Sequence, residues 1–298
     1  MHLTEHSILT SNNKIDINKI AIEKGRVIMA KAFSLASWNI EHFKGKKKRT
    51  DRIIKFLEQQ SPDIFALLEV EGKEVFSTLV KQMASYQFHI TEGPQTQEIL
   101  VGVKNGFTAF FTQKVEFKSG NKYLRPGALL TLTIDGKYYS ILFMHTKSSS
   151  HPIGLGIRDD QFRRSFKFKK KLDKAAGSNQ KANFIFLGDL NIMGMKYPFN
   201  KDIQGNFELK KLDKEAKKVK MRRLTKNKPS TWWNGPGSRY DPSDLDHVVA
   251  SEQLKLKPFN GKDIDVRGWP ALATENEQGK WIQEYSDHGL LYMIVEKV

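Results

Sequence analysis

The chain has 298 residues, 49 of them basic and 33 acidic, giving a net charge of +16, and it has no cysteine. The lack of cysteine excludes a disulfide framework, a thiolate zinc site and a cysteine nucleophile. No apolar run reaches the roughly 18–20 residues that span a bilayer, and the basic excess favours a polyanionic partner, nucleic acid first and an anionic membrane surface second.

Residues 1–32 read as an extension ahead of the folded unit. They lack the uncharged apolar segment of an export signal, so the expected location is the cytoplasm, with secretion left open. Met29 opens MAKAFSLASWNI, and Lys24-Gly25-Arg26 fits a purine-rich coding stretch like a ribosome-binding site. Met29 is therefore expected to be the initiator and residues 1–28 an over-extended start.

One domain is expected over residues 33–298. FSLASWNI (33–40) reads as a strand and Lys46–Arg49 as a basic turn. RIIKFLEQQ (52–60) has its apolar residues at helical spacing, and Ser61-Pro62-Asp63 stops it. DIFALLEV (63–70) is nearly all apolar, as in a strand covered on both faces. VFSTLVKQM (75–83) returns to helix. YQFHI, EILVGVK, FTAFF, ALLTLTI and KYYSILFMHT then follow as strands, the last two joined by Asp135-Gly136 in a hairpin. Residues 159–177 read as a basic helix ended by Gly177, and NFIFLGDLN (183–191) as a buried strand running into a polar loop. Residues 210–228 are dense in Lys and Arg and read as a solvated helix or loop. DLDHVVAS (244–251) and HGLLYMIVEKV (288–298) close the chain as strands. This alternation predicts an α+β class: two sheets packed face to face with helices outside.

Polar residues recur at the ends of these apolar runs: Asn39, Glu69, His145, Asp189, Asn191, Asp246, Asp287 and His288. Phosphodiester hydrolysis has a use for such a set. A hard cation takes carboxylate and amide oxygens, which suits Glu69 with Asn39 and Asp287 as further candidates. A histidine held by a carboxylate moves the proton, which suits His145 and His288 with Glu98 and Asp246 as orienting acids. Asn39, Asn191 and Arg125 can donate to developing charge on phosphate oxygens. Trp232 and Trp233 could stack on a base or sugar, or pack within their loop.

The ordered segments SWNIEHF (37–43), LLEVEG (67–72), EILVGVK (98–104), LRPGALL (124–130), MHTK (144–147), FLGDLNI (186–192), DLDHVV (244–249) and YSDHG (285–289) resemble the endonuclease/exonuclease/phosphatase superfamily, from Phe33 to the C-terminus. The resemblance implies a four-layer, deoxyribonuclease-I-like β-sandwich flanked by helices. It implies Mg²⁺, with Mn²⁺ as the alternative. By the same resemblance Glu69 binds metal, Asn39 places metal or phosphate, and Arg125 contacts phosphate. His145 is the mid-chain catalytic histidine, with Glu98 as its carboxylate partner in preference to Glu92. Asp189 and Asn191 orient nucleophile and phosphate. Asp246 orients His288, the base or proton shuttle beside Asp287. Trp232 joins Asn39 and Arg125 as a substrate-binding candidate. His247, His42 and Glu71 are expected outside the catalytic set. The expected protein is a monomeric nuclease acting on DNA or RNA, with no protein partner inferable. The alternatives are an inositol-phosphate phosphatase, a sphingomyelin phosphodiesterase or a non-catalytic nucleic-acid binder.

Overall fold

Strands that are apolar without interruption need cover on both faces, and the fold supplies it twice. The computed structural model describes residues 21–23, 26–28, 30–93, 97–177 and 181–297. Met29 and residues 1–20 lie outside the described residues, as does the reading of Met29 as initiator. Two short strands, β1 (Ala21–Glu23) and β2 (Arg26–Ile28), pair antiparallel ahead of the domain.

The first sheet contains β3 (Lys31–Phe43), β4 (Ile64–Val70), β5 (Tyr86–Ile90) and β6 (Glu98–Lys104). The second contains β7 (Thr108–Lys114), β8 (Gly127–Ile134), β9 (Lys137–His145), β10 (Asn183–Asp189), β11 (Met221–Arg223) and β12 (Asp246–Ser251). The chain then returns to the first sheet with β13 (Asp265–Arg267) and β14 (Leu290–Glu296). The strand orders are β13-β14-β3-β4-β6-β5 and β11-β12-β10-β9-β8-β7. Each sheet holds one parallel pair, β3–β4 in the first and β9–β10 in the second; the other neighbours run antiparallel.

Side chains alternate between faces along a strand. Phe33 and Leu35 of β3, Ile64, Ala66 and Leu68 of β4, and Tyr139, Ile141 and Phe143 of β9 point into one core between the sheets, with Ile185 and Leu187 of β10 and Val248 and Ala250 of β12. Burying each such Leu, Ile or Phe contributes about 1.5–3 kcal/mol. The opposite faces are covered by helices: α1 (Lys47–Gln60) and α2 (Lys73–Gln82) over the first sheet, α3 (Pro152–Ala176) and α4 (Gly205–Lys218) over the second. The result is the four-layer α+β sandwich that the resemblance implied.

Several local expectations change. Residues Lys47 to Arg49, expected in a turn, form the first turn of α1, which Ile53, Ile54 and Leu57 dock onto the sheet. The helix expected over residues 159–177 begins earlier, at Pro152, whose fixed φ suits a first helical turn. In the basic segment, Leu212 and Ala216 bury one side of α4, and Met221–Arg223 adds an edge strand. A fifth helix, α5 (Glu275–Glu284), was not expected. Its signal is local: Thr274 and Glu277 form a reciprocal capping box.

Candidate active site

The inward rows of the core do not stop at the last apolar residue. Each continues by one or two steps and changes from hydrocarbon to polar. Asn39 follows the row of Phe33 and Leu35, His145 the row of Tyr139, Ile141 and Phe143, and Asp189 the row of Ile185 and Leu187; Asp246 precedes the row of Val248 and Ala250. Strand register then brings them together. Asp189 lies directly across from His145 on one side and from Asp246 on the other. The site is thus the polar top layer of the core between the sheets.

Glu69 reaches this layer differently. It is one residue beyond inward Leu68, so regular alternation would face it away. The β4 register shifts here on both sides, and Glu69 adopts a left-handed φ of 63°. Its carboxylate accepts from Asn39 Nδ2 at 3.1 Å, from the His42 amide at 3.1 Å and from Gln97 Nε2 at 3.3 Å. Asn39 Nδ2 also donates to Asp189 Oδ2 at 3.0 Å, bridging the two sheets. His145 Nε2 stands 3.6 Å from Glu69 Oε1 and 3.5 Å from Asp189 Oδ2. His288 Nδ1 is 2.7 Å from Asp246 Oδ2, with its Nε2 3.8 Å from Asp189 Oδ2 and 3.9 Å from Asp287 Oδ1. Asn191, at φ 47°, donates Nδ2 to the Thr146 carbonyl, and its amide binds Asp189 Oδ1.

The electrostatics separate the two histidines. Burial drives His145 well below its usual pKa, with Arg125 and His288 adding to the effect, which favours the neutral imidazole. Burial also opposes charge on His288, but Asp246 and Asp189 outweigh it and hold the imidazole well above its usual range. Burial raises the Asp189 carboxyl to about 7; Asp246 adds to this, while His288 and Asn39 counter it.

The remaining expected residues fall as follows. Glu98 is not the partner of His145. It has the parity of outward Leu100, accepts from Thr91 Oγ1 at 2.5 Å, and makes no ion pair with the imidazole. His145 Nδ1 is buried with no hydrogen-bond partner among the described residues. Arg125 donates to the Gln97 carbonyl and to Gln97 Oε1, and so touches Glu69 through Gln97. Trp232 donates its indole N–H to Asp287 Oδ2 at 2.7 Å, while Trp233 is buried against Trp269. His247 is fully buried away from the cleft. Reading by residue type missed Gln97 and Glu41. Burial, Asp287 and Glu69 together raise the Glu41 carboxyl, despite Arg49.

The donors fit a divalent metal. Asp287 and Glu69 repel the Glu41 carboxylate, and Asp246 repels that of Asp189, an accumulation of negative charge that a hard cation relieves. Asp189, Asp246 and His288 also offer ligand atoms within 4.8 Å of one another. The 2.7 Å His288–Asp246 contact commits those two to a shared proton, however, leaving the oxygen donors around Glu69 as the better cradle.

The profile of the Endonuclease/Exonuclease/phosphatase family matches residues 36–288. The chain belongs to the endonuclease/exonuclease/phosphatase family. Membership makes it a metal-dependent hydrolase of phosphoester bonds. Solved structures of the family fold agree. TDP2 from C. elegans is 17% identical with a TM-score of 0.62, over 89% of this chain and 75% of that one. D. rerio TDP2 complexed with single strand DNA product is 15% identical with a TM-score of 0.60, over 89% and 99%. The human Nocturnin catalytic domain with bound sulfate anion is 14% identical with a TM-score of 0.57, over 89% and 93%. No curated protein matches the sequence. No helix among the described residues is long and apolar enough to cross a membrane.

Proposed function

We propose that this member of the endonuclease/exonuclease/phosphatase family is a magnesium-dependent nuclease that hydrolyses phosphodiesters of DNA or RNA. The observation that carries the reading is the convergence of Glu69, His145, Asp189 and the Asp246–His288 pair in one cleft of a chain with net charge +16. The D. rerio TDP2 structure, with its single strand DNA product, supports nucleic acid as the substrate class.

Glu69, with Asn39 and Asp287, would hold Mg²⁺, which when bound neutralises phosphate oxygens and stabilises their developing charge. The protein groups do the rest. Asp189, its carboxyl raised by burial and braced by the Asn191 amide, accepts a proton from the attacking water. His288, held by Asp246 at Nδ1, keeps Nε2 directed into the cleft and donates to the phosphoryl group or leaving oxygen. Neutral His145 spans Glu69 and Asp189 and contributes hydrogen bonding without a second positive charge. Arg125 and Asn191 supply further donors. The basic segments carry the nucleic-acid backbone, and the chain acts as a monomer in the cytoplasm.

The test is a substrate panel of plasmid DNA, RNA, inositol phosphates and sphingomyelin with Mg²⁺, comparing wild type with His288→Ala. Nucleic-acid cleavage lost in the variant while DNA binding persists is the expected result. Its rate at low substrate should fall steeply between 50 and 200 mM salt, as phosphate neutralisation requires. Phosphate release from the small esters with nucleic acid left intact would replace this reading with the phosphatase one.

A further inference from the structure

We infer that Lys226, outside the cleft, is a positioning residue that sets the Asp246–His288 pair; this rests on the proposed role of that pair. Edge strand β11 pairs with β12 only from Met221 to Arg223, and one further main-chain bond runs from the Leu224 amide to the Val248 carbonyl. The chain then leaves the sheet, since Thr225 and Asn227 bond the segment around Ile264 instead. The next carbonyl on that edge of β12 belongs to Asp246, and no strand donor remains for it.

Lys226 takes the vacated place with its side chain. The side chain is 5% exposed, and its ammonium donates to the Asp246 carbonyl at 2.5 Å and to the Asp244 carboxylate and lies 3.3 Å from His247 Nδ1. Three N–H groups thereby meet three acceptors, which a buried ammonium needs. His247 Nε2 in turn sits 3.0 Å from the Asp244 carbonyl, closing the cluster. The amide of the same residue is held as well: Thr231 Oγ1 accepts from the Asp246 N–H at 3.0 Å. Side chains therefore hold both the carbonyl and the amide of Asp246, which fixes where its carboxylate meets His288. Lys226 also places a positive charge behind that carboxylate.

Lys226→Met removes the charge and the donor but keeps the length. The expected effect is a fall in kcat of about 10- to 100-fold, the scale for loss of a group that orients a catalytic residue, with KM within about twofold. A second readout does not use activity. In ¹⁵N-histidine-labelled protein, with His288→Gln giving the assignment, the downfield Nδ1–H signal of His288 should broaden or disappear in Lys226→Met. Lys226→Arg should restore part of both. Should the Met variant fail to fold, Lys226→Arg and Asp244→Asn carry the same comparison, each expected to shift the His288 signal. A His288 signal identical to wild type in the folded variants, or a kcat loss no larger than the loss of folded protein, overturns the inference. Inactive wild type would instead defeat the nuclease reading, and the imidazole signal would still decide whether Lys226 holds the pair.

Discussion

Replacing Asp246 by Asn tests whether the buried pair works as a unit. Asn keeps the volume and an acceptor oxygen, so the strand and the Thr231 contact survive while the charge is lost. In the native protein a carboxylate oxygen 2.7 Å from His288 Nδ1, with both side chains almost fully buried, makes a charge-assisted hydrogen bond. Such a bond contributes about 1.5–3 kcal/mol. At about 1.4 kcal/mol per decade, its loss lowers kcat by roughly 10- to 100-fold, and tautomer errors in the imidazole add to that. The pKa of His288 should fall as well, because Asp246 is the largest influence opposing its burial. With His288 acting as the acid, the alkaline limb of the pH–rate profile moves to lower pH. The assay is Mg²⁺-dependent nicking of plasmid DNA by wild type, Asp246→Asn, His288→Ala and the double variant. The double variant should be no slower than His288→Ala alone. Wild-type rates in Asp246→Asn, or losses that multiply in the double variant, refute the pairing.

Glu69→Gln should raise the Mg²⁺ concentration for half-maximal cleavage by at least about tenfold, read from a metal titration of activity; an unchanged midpoint places the metal elsewhere. Asp63 is buried and accepts from the Ser34 amide and hydroxyl and from Lys31; these bonds outweigh its burial and lower its pKa. Its stabilisation is therefore present above the unfolded-state carboxyl pKa and lost as pH falls through the lower folded value. Asp63→Asn should cost about 2 kcal/mol at pH 7, with the gap to wild type closing below that pH window in urea titrations. Gly188 sits at φ 135°, where an added Cβ would lie 2.0 Å from the Met144 carbonyl oxygen. Gly188→Ala should destabilise by on the order of 3 kcal/mol or more, seen as a lowered Tm or loss of soluble protein.

What could be read ahead of the structure follows the physics of each element. The core strands were legible because residues covered on both faces make unbroken apolar runs, as in residues 63–70. Helix starts were less so. Residues 46–49 are all basic, and in 152–158 Ile153, Leu155 and Ile157 alternate at strand rather than helical spacing, so tertiary docking by later turns decides both starts. Helix α5 was overlooked although Thr274 and Glu277 announce it, because its apolar face is only Trp281 and Ile282. Strand β11 has three residues, two of them charged, and exists because β12 offers a free edge.

The cleft shows the same division between what parity dictates and what it cannot. Asn39, His145, Asp189 and Asp246 each continue an inward row, so their meeting follows from period-2 alternation once the sheets face each other. Glu98 has the parity of outward Leu100 and pairs with outward Val70, so it bonds Thr91 rather than His145. Glu69 also has the wrong parity, yet it enters the cleft because β4 breaks register and the residue takes a left-handed φ. A non-glycine residue held there costs on the order of 1 kcal/mol or more, and the hydrogen bonds from Asn39, the His42 amide and Gln97 offset it. Those three donors lie 27 to 30 residues from Glu69 along the chain, which is why no local pattern around residues 67–72 announces the turn. The place of Glu69 in the cleft thus depends on a left-handed backbone that is sustained by residues far from it in sequence.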